Sequence, residues 1–484
     1  MTRRASLLIA GRPAAAGQSA PVPQPAPVSQ PAPVPQPTLV PGQARVPNTP
    51  PVPYASPLPQ PAPVPQPARL PRLLPADGRA AGLIAHLAQH GPLPYRGGPG
   101  HLIADVIEAG LTGRGGAAFP AGRKLAAVAA AGRRPVVVAN AAESEPLSAK
   151  DKTLLRYSPH LVLDGLQLAA EAVGARRAVL YLHEDLSLRG ALNDLLAERR
   201  SGGLDRVGVD LVVAPPRFLS GQETAVVNVI NGGAALPTFT PPRTFERGVG
   251  GQPTLVQNVE TLAHLALIAR YGADWFRGLG TADEPGSMLC SVRQADGSAG
   301  VVEAALGTPL RDLIRFSDQV QAVLVGGYHG AWLAARQAEL LSLSNAVLGP
   351  AGASAGAGVL AALPAGCCGL AETAWVARYL AVESAGQCGP CLNGLPRIAT
   401  ALAELAGSRP DGRVIADLER WAGMTEGRGA CHHPDGAVRF VRSGLQVFAA
   451  EIRGHQRGTC TAAAGPPFLP AGPGPASESD WRPR

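Results

Sequence analysis

The chain has 484 residues, which is enough for two or three domains, and it carries a formal net charge of +7. Residues 1–75 contain six arginines and no acidic residue, so the remainder of the chain carries a net charge of only +1. A nearly neutral remainder lacks the basic stripe that DNA and RNA binding require, and we therefore expect no nucleic-acid partner.

Residues 1–75 form a proline-rich segment. Nineteen of the fifty residues from 21 to 70 are proline, and variants of QPAPVPQP recur. This composition favours polyproline II and cannot bury a core. We predict a disordered tail or spacer, with a docking site for a proline-binding partner as the alternative. The start, MTRRASLLIAGR, has too short an apolar run for a secretory signal.

Residues 76–275 alternate between helical and strand-like patterns. Apolar residues recur at helical spacing in five segments, 80–90, 101–109, 160–173, 186–198 and 223–231. Short apolar runs that are typical of buried parallel strands fall at 133–140, 178–182 and 207–213. This alternation predicts an α/β layer fold with a mostly parallel sheet, in which ligands bind beyond the carboxyl ends of the strands.

The pattern changes after residue 276. Residues 276–340 contain short β-type runs and one short helical segment, which predict a small β-grasp-like module; the runs are 288–293, 300–302 and 322–325, and the helix is 309–314. Residues 341–460 are mainly helical, with predicted helices at 374–382, 395–405, 414–422 and 443–452. Residues 340–371 carry no charge, but their Gly, Ser and Pro content favours loop and buried helix over a membrane span. Residues 461–484 are again rich in Pro and Gly and predict a mobile tail.

A glycine-rich loop stands out within the α/β region. The segment GLTGRGGAAFPAGRK, residues 110–124, holds five glycines within thirteen residues, together with Arg114 and Lys124. Successive amides in such a loop line an anion site, and a helix start adds partial positive charge. The loop alone predicts either a nucleotide phosphate site, with charges from Arg114 and Lys124, or a structural turn in a chain rich in Gly and Ala.

Five motifs follow one another along the chain: GLTGRGGAAFPAGRK, ANAAESEPLSAKDK, SGQETAVVN, GQPTLVQNVETLA and ESAGQCGPCLNG. Their order, over residues 95–450, resembles the flavin-carrying, NADH-oxidising subunit of respiratory complex I. The same module occurs in NAD-reducing hydrogenases and NAD-linked formate dehydrogenases. The resemblance implies a Rossmann-like FMN domain, a small β-grasp (ubiquitin-like) domain and a C-terminal helical bundle that holds a 4Fe–4S cluster.

The resemblance also implies a set of residues that bind FMN and NAD(H). The glycine loop matches beside the FMN phosphate and the nicotinamide nucleotide at Gly113, Arg114, Gly115, Gly116, Phe119 and Lys124. Residues around the flavin match at Asn140, Glu143, Ser144, Gly221 and Glu223. Asn258 and Thr261 match a polar pair near the phosphate, and Glu145 matches a carboxylate beside the nicotinamide. FMN needs such a phosphate cradle and polar groups around its ring, although any one of these polar residues alone is equally typical of a helix cap.

Several positions depart from the family. Around the flavin, the family has Asp, Glu, Asn and Tyr in place of Ala142, Gln222, Gln257 and Phe218. Two rings that stack on the NADH adenine align with Ala127 and Arg243. Aromatic faces contribute much of such contacts, so these losses weaken nucleotide binding. Flavin binding is therefore better supported than NADH binding.

The cysteine motif departs in the same way. The family binds its cluster through three cysteines at two-residue spacing and a fourth further along, and the corresponding residues here are Ala385, Cys388, Cys391 and Cys431. A 4Fe–4S cluster takes four thiolates, so we predict an iron–sulfur cluster on Cys388, Cys391 and Cys431 of uncertain type. The fourth ligand is then exogenous or comes from Ser384, His432 or His433; a 3Fe–4S cluster, zinc with a histidine, and an empty site are the alternatives.

The other cysteines are interpreted more simply. Cys367 and Cys368 are adjacent in a glycine-rich loop, which favours packing over ligation, and Cys290 and Cys460 are assigned no role. Seven cysteines in a chain of this length do not make a disulfide framework, which indicates a reducing compartment. We expect a cytoplasmic protein with no membrane span of its own, associated with a membrane only through a complex.

Together these features predict a flavoprotein oxidoreductase of the NADH dehydrogenase type. Electrons pass from NAD(P)H through FMN to the cluster and on to a partner, which is an iron–sulfur protein or a ferredoxin-like subunit. One alternative is a degenerate scaffold or assembly subunit that does not oxidise NADH. The other is a flavoprotein that receives electrons from a ferredoxin.

Overall fold

The computed structural model describes residues 69–98, 100–460, 462, 465–472 and 478–482. The prediction of a disordered tail over 1–75 falls almost entirely outside these residues, as does part of the 461–484 tail. The helices are α1 Leu83–His90, α2 His101–Ala109, α3 Ala121–Ala129, α4 Lys150–Tyr157, α5 Pro159–Val173, α6 Leu186–Ser201, α7 Glu223–Ile230, α8 Val259–Arg277, α9 Ala335–Ala338, α10 Asn345–Leu348, α11 Gly369–Val382, α12 Leu395–Leu405, α13 Val414–Thr425, α14 His433–Val447 and α15 Ala449–Gln456. The strands are β1 Val136–Ala141, β2 Arg177–His183, β3 Val209–Ala214, β4 Thr254–Asn258, β5 Ser287–Arg293, β6 Ala299–Ala305, β7 Val320–Val325, β8 Ala331–Ala334 and β9 Val359–Pro364.

The first sheet is parallel and has the strand order β3-β2-β1-β4. Side chains of β1 point alternately into two apolar cores, Val137 and Ala139 into one and Val136 and Val138 into the other. Strands buried on both faces form continuous apolar runs. This explains why the sequence predicted β1 and β2 within a few residues of their bounds. The edge strand β3 was predicted as closely, although only its first and last residues are buried.

The strand order reverses between β1 and β4. The chain adds β2 and β3 on one side of β1 and then returns to place β4 on the other side. At such a switch point the carboxyl ends of the two strands leave a crevice that binds ligands. Helix α8 begins directly after β4 and therefore at this edge. Helix α3 ends shortly before β1 begins, so its first residue, and the glycine loop before it, lie at the same edge.

The second sheet is mixed, with the order β6-β5-β9-β7-β8. Strands β5 and β9 are parallel, and the other pairs are antiparallel. The predicted β-type runs correspond to β5, β6 and β7, and the predicted short helix is a single 3₁₀ turn at Leu310–Asp312.

The prediction for residues 340–371 was wrong in part, because this stretch contains the central strand β9. Its sequence, VLAALP, is rich in alanine, and a short apolar run does not distinguish a strand from a buried helix. Only pairing with β5 and β7, which are distant in sequence, makes it a strand. The predicted boundary at residue 340 therefore cuts through this sheet.

Helices α11 to α15 pack on the second sheet around one apolar core, which Trp332 and Leu324 of the sheet share with Leu402 and Phe440 of the helices. The prediction of a single helix at 443–452 was wrong, because two helices share this stretch. The chain leaves helical geometry at Phe448, between α14 and α15, where the Phe448 ring packs edge-on against Trp332 at 5.3 Å between centroids. In the part of the chain that the structure describes, every helix is too short or too polar to cross a membrane.

Candidate functional site

The glycine loop lies on the junction between β4 and α8. The amide of Arg114 donates to Thr261 Oγ1 at 2.9 Å, and a Cβ placed on Gly115 would lie 3.3 Å from Asn258 Cβ. The loop is closed at its base, where the Gly113 amide donates to Phe119 O at 2.8 Å. Two of the five motifs, GLTGRGGAAFPAGRK and GQPTLVQNVETLA, are thus brought together at the switch point of the parallel sheet.

The backbone of the loop requires a glycine at its centre. Gly116 has φ +107°, a region that side chains other than glycine rarely occupy, and Ala118 has φ +50°. The next residue, Phe119, is 55% exposed and is not part of the apolar core. The loop therefore presents bare backbone and one exposed aromatic ring ahead of the first turn of α3.

The Arg114 side chain points away from this edge. Its guanidinium donates to Thr112 Oγ1 at 2.7 Å, to Ser287 O at 3.1 Å and to Pro285 O at 3.4 Å. Burial lowers the pKa of Arg114, and protein oxygens accept hydrogen bonds from its guanidinium. In this structure the Arg114 side chain joins the loop to the start of β5, and its contribution of charge to a phosphate stays a prediction.

The Lys124 side chain lies near the edge of the sheet and forms an ion pair there. Its Nζ lies 3.0 Å from Glu223 Oε2, and both side chains are partly exposed. The other oxygen of Glu223 accepts from Thr244. Since α7 begins at Glu223, this pair connects the first turns of α3 and α7 at the same end of the sheet.

The residues after β1 are tied to their neighbours. Asn140 Nδ2 donates to Gly221 O at 2.9 Å, and Ser144 Oγ lies 3.4 Å from Ser220 Oγ. Glu143 accepts from Ser148 Oγ at 2.6 Å and from the amide of Asp151 at 3.0 Å, so it caps the start of α4. Burial raises the pKa of Glu143, and the nearby Asp151 carboxylate adds to that effect.

Two of the residues that differ from the family, Gln222 and Phe218, form defined contacts in the structure. Gln222 Oε1 accepts from the amides of Thr224 at 2.8 Å and Ala225 at 3.0 Å, which makes it the N-cap of α7. Phe218 packs edge-on against His329 at 4.8 Å between ring centroids, and it is partly buried against the core that the second sheet shares with the helices.

Glu145 connects the parallel sheet to the second sheet. Its Oε2 accepts from the amide of Tyr328 at 2.8 Å, and a Cβ on Gly327 would collide with its carboxylate. Burial raises the pKa of Glu145 to about 7, against the opposing effect of the Tyr328 and Leu147 amides. Sequence reasoning missed the Gly326–Gly327 turn, although a Gly-Gly pair directly after an apolar run was a visible signal.

A buried ion network lies beneath the site and was also missed. Lys150 Nζ, 2% exposed, lies 2.7 Å from Asp151 Oδ1 and 2.8 Å from Glu260 Oε2. Asn258 Nδ2 donates to Asp151 Oδ2 at 2.8 Å. Burial disfavours the ammonium, but Asp151 and Glu260 outweigh it and raise the pKa of Lys150. The network fixes Asn258 and the first turn of α8, on which the glycine loop lies.

One polar group at the edge is left unpaired. Gln257 Nε2 is buried and has no hydrogen-bond partner among the described residues. Gln257 is the residue before Asn258 in β4, a strand that α3 contacts. An unsatisfied buried amide costs about 1–3 kcal/mol, which a ligand acceptor would recover.

The three predicted cluster cysteines line one cavity of about 380 Å³. Cys388 Sγ lies 3.6 Å from Cys391 Sγ, and Ala385 and Cys431 complete this side of the cavity. Burial and the neighbouring thiols raise the pKa of Cys391 to about 11. Cys391 lies in a π-helical turn, Pro390–Gly394, of a kind frequent at functional sites.

The predicted candidates for a fourth ligand do not reach this cavity. Among the described residues, the lining includes Ala385 and Gln387 but not Ser384, His432 or His433. Both ring nitrogens of His433 are already used, Nε2 with Leu380 O at 2.8 Å and Nδ1 with His329 Nε2 at 3.0 Å. The cavity thus offers three thiols and a methyl group where a fourth thiol would stand.

Comparison with known proteins agrees with these two sites. Residues 106–267 match the model of the Nuo51 FMN-binding domain, and residues 371–455 match that of the NADH-ubiquinone oxidoreductase-F iron-sulfur binding region. The chain is 31% identical over 391 residues to the F subunit of NADH-quinone oxidoreductase from Streptomyces coelicolor, covering 77% of this chain and 86% of that protein. It is 29% identical over 375 residues to the second F subunit of NADH-quinone oxidoreductase from Rhizobium meliloti, covering 74% and 89%.

The chain is also similar to solved structures of NAD⁺-reducing hydrogenases. The NAD⁺-reducing NiFe-hydrogenase in the air-oxidised state superimposes with a TM-score of 0.70 at 27% identity, covering 81% of this chain and 69% of that chain. The same type of hydrogenase in the H₂-reduced state gives a TM-score of 0.67, covering 77% and 66%. This chain thus spans about two thirds of the length of the hydrogenase chain.

Proposed function

Because the chain belongs to the family of NADH-quinone oxidoreductase F subunits, we propose that it is an NADH-oxidising flavoprotein subunit that passes electrons through FMN and an iron–sulfur cluster to a partner protein. One observation carries the proposal. The glycine loop, the end of β1 and the end of β4 meet where the strand order reverses, at the starts of α3 and α8.

The residues at this edge fit FMN. Gly115 and Gly116 carry no side chain that would cover the backbone amides of the loop, and the starts of α3 and α8 add partial positive charge. Lys124 Nζ supplies a full charge, and the unpaired Gln257 Nε2 supplies a buried donor. FMN, when bound, accepts a hydride and releases electrons one at a time.

We assign the other predicted residues to orientation. Asn140 and Ser144 hold the end of β1 against the Gly221 loop, which keeps the polar groups after β1 at a fixed distance from α7. Glu145 lies at the junction of the two sheets, where we place the nicotinamide nucleotide, with the exposed Phe119 ring as a stacking surface.

The cysteine cavity fits three ligands of a cluster. Cys388, Cys391 and Cys431 all line it, and Ala385 leaves one iron of a four-iron cluster without a protein thiolate in this segment. We propose a cluster held by these three cysteines with an exogenous ligand in the fourth position. The partner is an iron–sulfur or ferredoxin-like subunit that takes electrons onward.

We also infer that the second sheet is the β-grasp (ubiquitin-like) module. The order β6-β5-β9-β7-β8, with the parallel pair β5 and β9 within it, supports this assignment. The domain division that we propose keeps the FMN module at 76–275 and the helical iron–sulfur module within 341–460, and adds β9 to the β-grasp module at 276–340.

A cytoplasmic location of the protein stays a prediction.

The loss of two stacking positions favours a second candidate. With Ala127 and Arg243 at those positions, the protein binds FMN but oxidises NADH poorly, and serves as a scaffold or receives electrons from a ferredoxin. The physical basis is the missing aromatic contact area.

The experiment is an anaerobic purification followed by optical and EPR spectra, identification of the acid-released flavin, and titration with NADH. We expect bound FMN that NADH bleaches, followed by an iron–sulfur EPR signal. A flavin that dithionite reduces and saturating NADH or NADPH does not would favour the second candidate. Protein that contains no flavin and takes up none from added FMN would refute both.

A further inference from the structure

A second group of metal-binding side chains lies outside both sites. Cys368 is the N-cap of α11, His455 is in the last turn of α15, and Cys460 follows in the loop after that helix. Their ligand atoms, two sulfurs and one ring nitrogen, all lie within 4.8 Å of one another. The sequence pattern does not relate Cys368 to the other two residues, and the fold alone brings them together.

The histidine is held in the orientation that a metal ligand needs. His455 Nδ1 lies 2.9 Å from Gly407 O, and a carbonyl only accepts, so Nδ1 carries the hydrogen. Nε2 then presents its lone pair, and it faces Cys368 Sγ at 3.3 Å. Metal-bound histidines are oriented in this way by a second hydrogen bond to a carbonyl or carboxylate.

A carboxylate lies beside one of the three ligands, Cys368. Glu451 Oε2 lies 3.2 Å from Cys368 Sγ and also accepts from the amide of Leu370 at 3.1 Å. Glu451 and His455 are four residues apart on α15 and therefore share one face of the helix. The three ligand atoms that lie close together are two thiols and one imidazole, and the Glu451 carboxylate adjoins them at Cys368.

The loop after α15 is folded back so that Cys460 can join this set. The Thr459 amide donates to Gly454 O at 3.0 Å, and Gly458 turns the chain with φ +78°. Cys460 remains exposed, whereas Cys368 and His455 are buried. The site is therefore closed on the protein side and open to solvent at one ligand, which gives a metal ion a route of entry.

We propose that Cys368, His455 and Cys460 form a structural zinc site, with the neighbouring Glu451 carboxylate turning toward the metal as the fourth ligand. With ordinary Zn–S and Zn–N bond lengths, a tetrahedral site places sulfur and nitrogen ligands about 3.6 Å apart, so the observed 3.3 Å between Cys368 Sγ and His455 Nε2 needs only a small adjustment. Two thiolates with an imidazole and a carboxylate are donors that zinc accepts. Binding displaces one proton from each thiol to solvent, and no oxidation or reduction takes place.

The site would connect three parts of the helical module. Cys368 begins α11, Glu451 and His455 belong to α15, and Cys460 belongs to the segment that leaves α15. None of its ligands lines the cavity of Cys388, Cys391 and Cys431, so the zinc site and the cluster site are separate. The proposal therefore does not depend on the proposed function.

The test is metal analysis of the full-length protein by mass spectrometry, for zinc and iron together. We expect one zinc ion per chain, lost in Cys460→Ser and in His455→Ala and retained in Cys367→Ser, the adjacent cysteine outside the set. Iron content should be the same in all of these proteins. Conversely, Cys388→Ser should lower the iron content and leave zinc unchanged.

Cobalt provides an independent spectroscopic measurement. Replacement of zinc by Co²⁺ should give thiolate-to-cobalt charge-transfer bands and intense tetrahedral ligand-field bands, both weakened in Cys460→Ser. Because Cys460 is exposed, this variant should fold normally even where a variant at Cys368 does not. Protein without zinc and without cobalt bands, or zinc retained in Cys460→Ser, would overturn the proposal. So would a peptide map that shows a disulfide between Cys368 and Cys460 in place of a metal.

Discussion

Replacement of Lys150 by methionine tests whether the buried ion network supports the flavin site. Lys150 is 2% exposed and its Nζ lies 2.8 Å from Glu260, whose side chain is fully buried. Methionine fills a similar volume but leaves the Glu260 carboxylate with the Leu289 amide as its remaining donor, at 2.8 Å. Removal of one partner of a buried ion pair typically costs about 3–5 kcal/mol, because the other charge stays uncompensated.

The assay is urea unfolding of the Lys150→Met protein, followed by far-UV circular dichroism and by release of flavin fluorescence. We expect a loss of about 3–5 kcal/mol in the transition that involves the parallel sheet, and weaker FMN retention because Asn258 loses part of its support. The matched control is Lys152→Met, a partly exposed lysine two residues along the same helix, which should change stability by less than about 0.5 kcal/mol.

The pH dependence identifies the cause. Burial raises the pKa of Glu260 in the folded protein. A group whose folded pKa is raised binds its proton more tightly in the folded state, so the penalty in Lys150→Met should shrink as the pH falls and the carboxyl becomes neutral. The double variant Lys150→Met/Glu260→Gln should recover most of the lost stability at neutral pH. A loss below about 1 kcal/mol at neutral pH, or a penalty independent of pH, would refute the reasoning.

Three further predictions concern single groups. Gln257→Leu removes an unpaired buried amide, so the flavin-free protein should gain up to about 1–3 kcal/mol in stability. The affinity of the same variant for FMN, measured by fluorescence titration, should fall. Unchanged affinity would contradict a contact between Gln257 and the flavin. Burial raises the pKa of Glu145 to about 7, so the stability that Glu145 contributes is complete below its unfolded pKa and is lost as the pH rises to about 7. The Glu145→Gln variant should therefore gain stability relative to the unmodified protein over that pH range. Thermal melts across the range measure this, and a constant difference between the two proteins would contradict the assignment. Ala385→Cys supplies a fourth thiolate and should raise cluster stability in air and iron content, whereas Ala430→Cys in the same cavity should not; equal behaviour of the two variants would count against the ligand assignment.

The sequence by itself determined the elements whose signal is local. The runs that became β1 and β2 are buried on both faces over most of their length, and such strands are continuous apolar stretches. The edge strand β3 is buried only at its two ends, but its apolar run was also visible in the sequence. The helical repeats of α2 and α12 were predicted at their observed bounds, because one apolar face fixes a helix over several turns. The order of motifs indicated the family, which the comparisons confirmed.

Tertiary structure decided whatever depends on residues far apart in the chain. Strand β9 exists because β5 and β7 pair with it, and its own alanine-rich sequence does not distinguish a strand from a helix. Arg114 turns inward because Ser287 and Pro285 offer carbonyls there, and a long flexible side chain follows its acceptors.

Distance along the chain also explains why one group of cysteines could be predicted from the sequence and the other could not. The spacing of Cys388 and Cys391 places both sulfurs on one turn, so their proximity was visible in the sequence. Cys368 and Cys460 are ninety-two positions apart, and no local pattern relates them. Only the packing of α15 against the start of α11 brings their sulfurs and the His455 ring together, because side-chain proximity across such a separation is a property of the folded core.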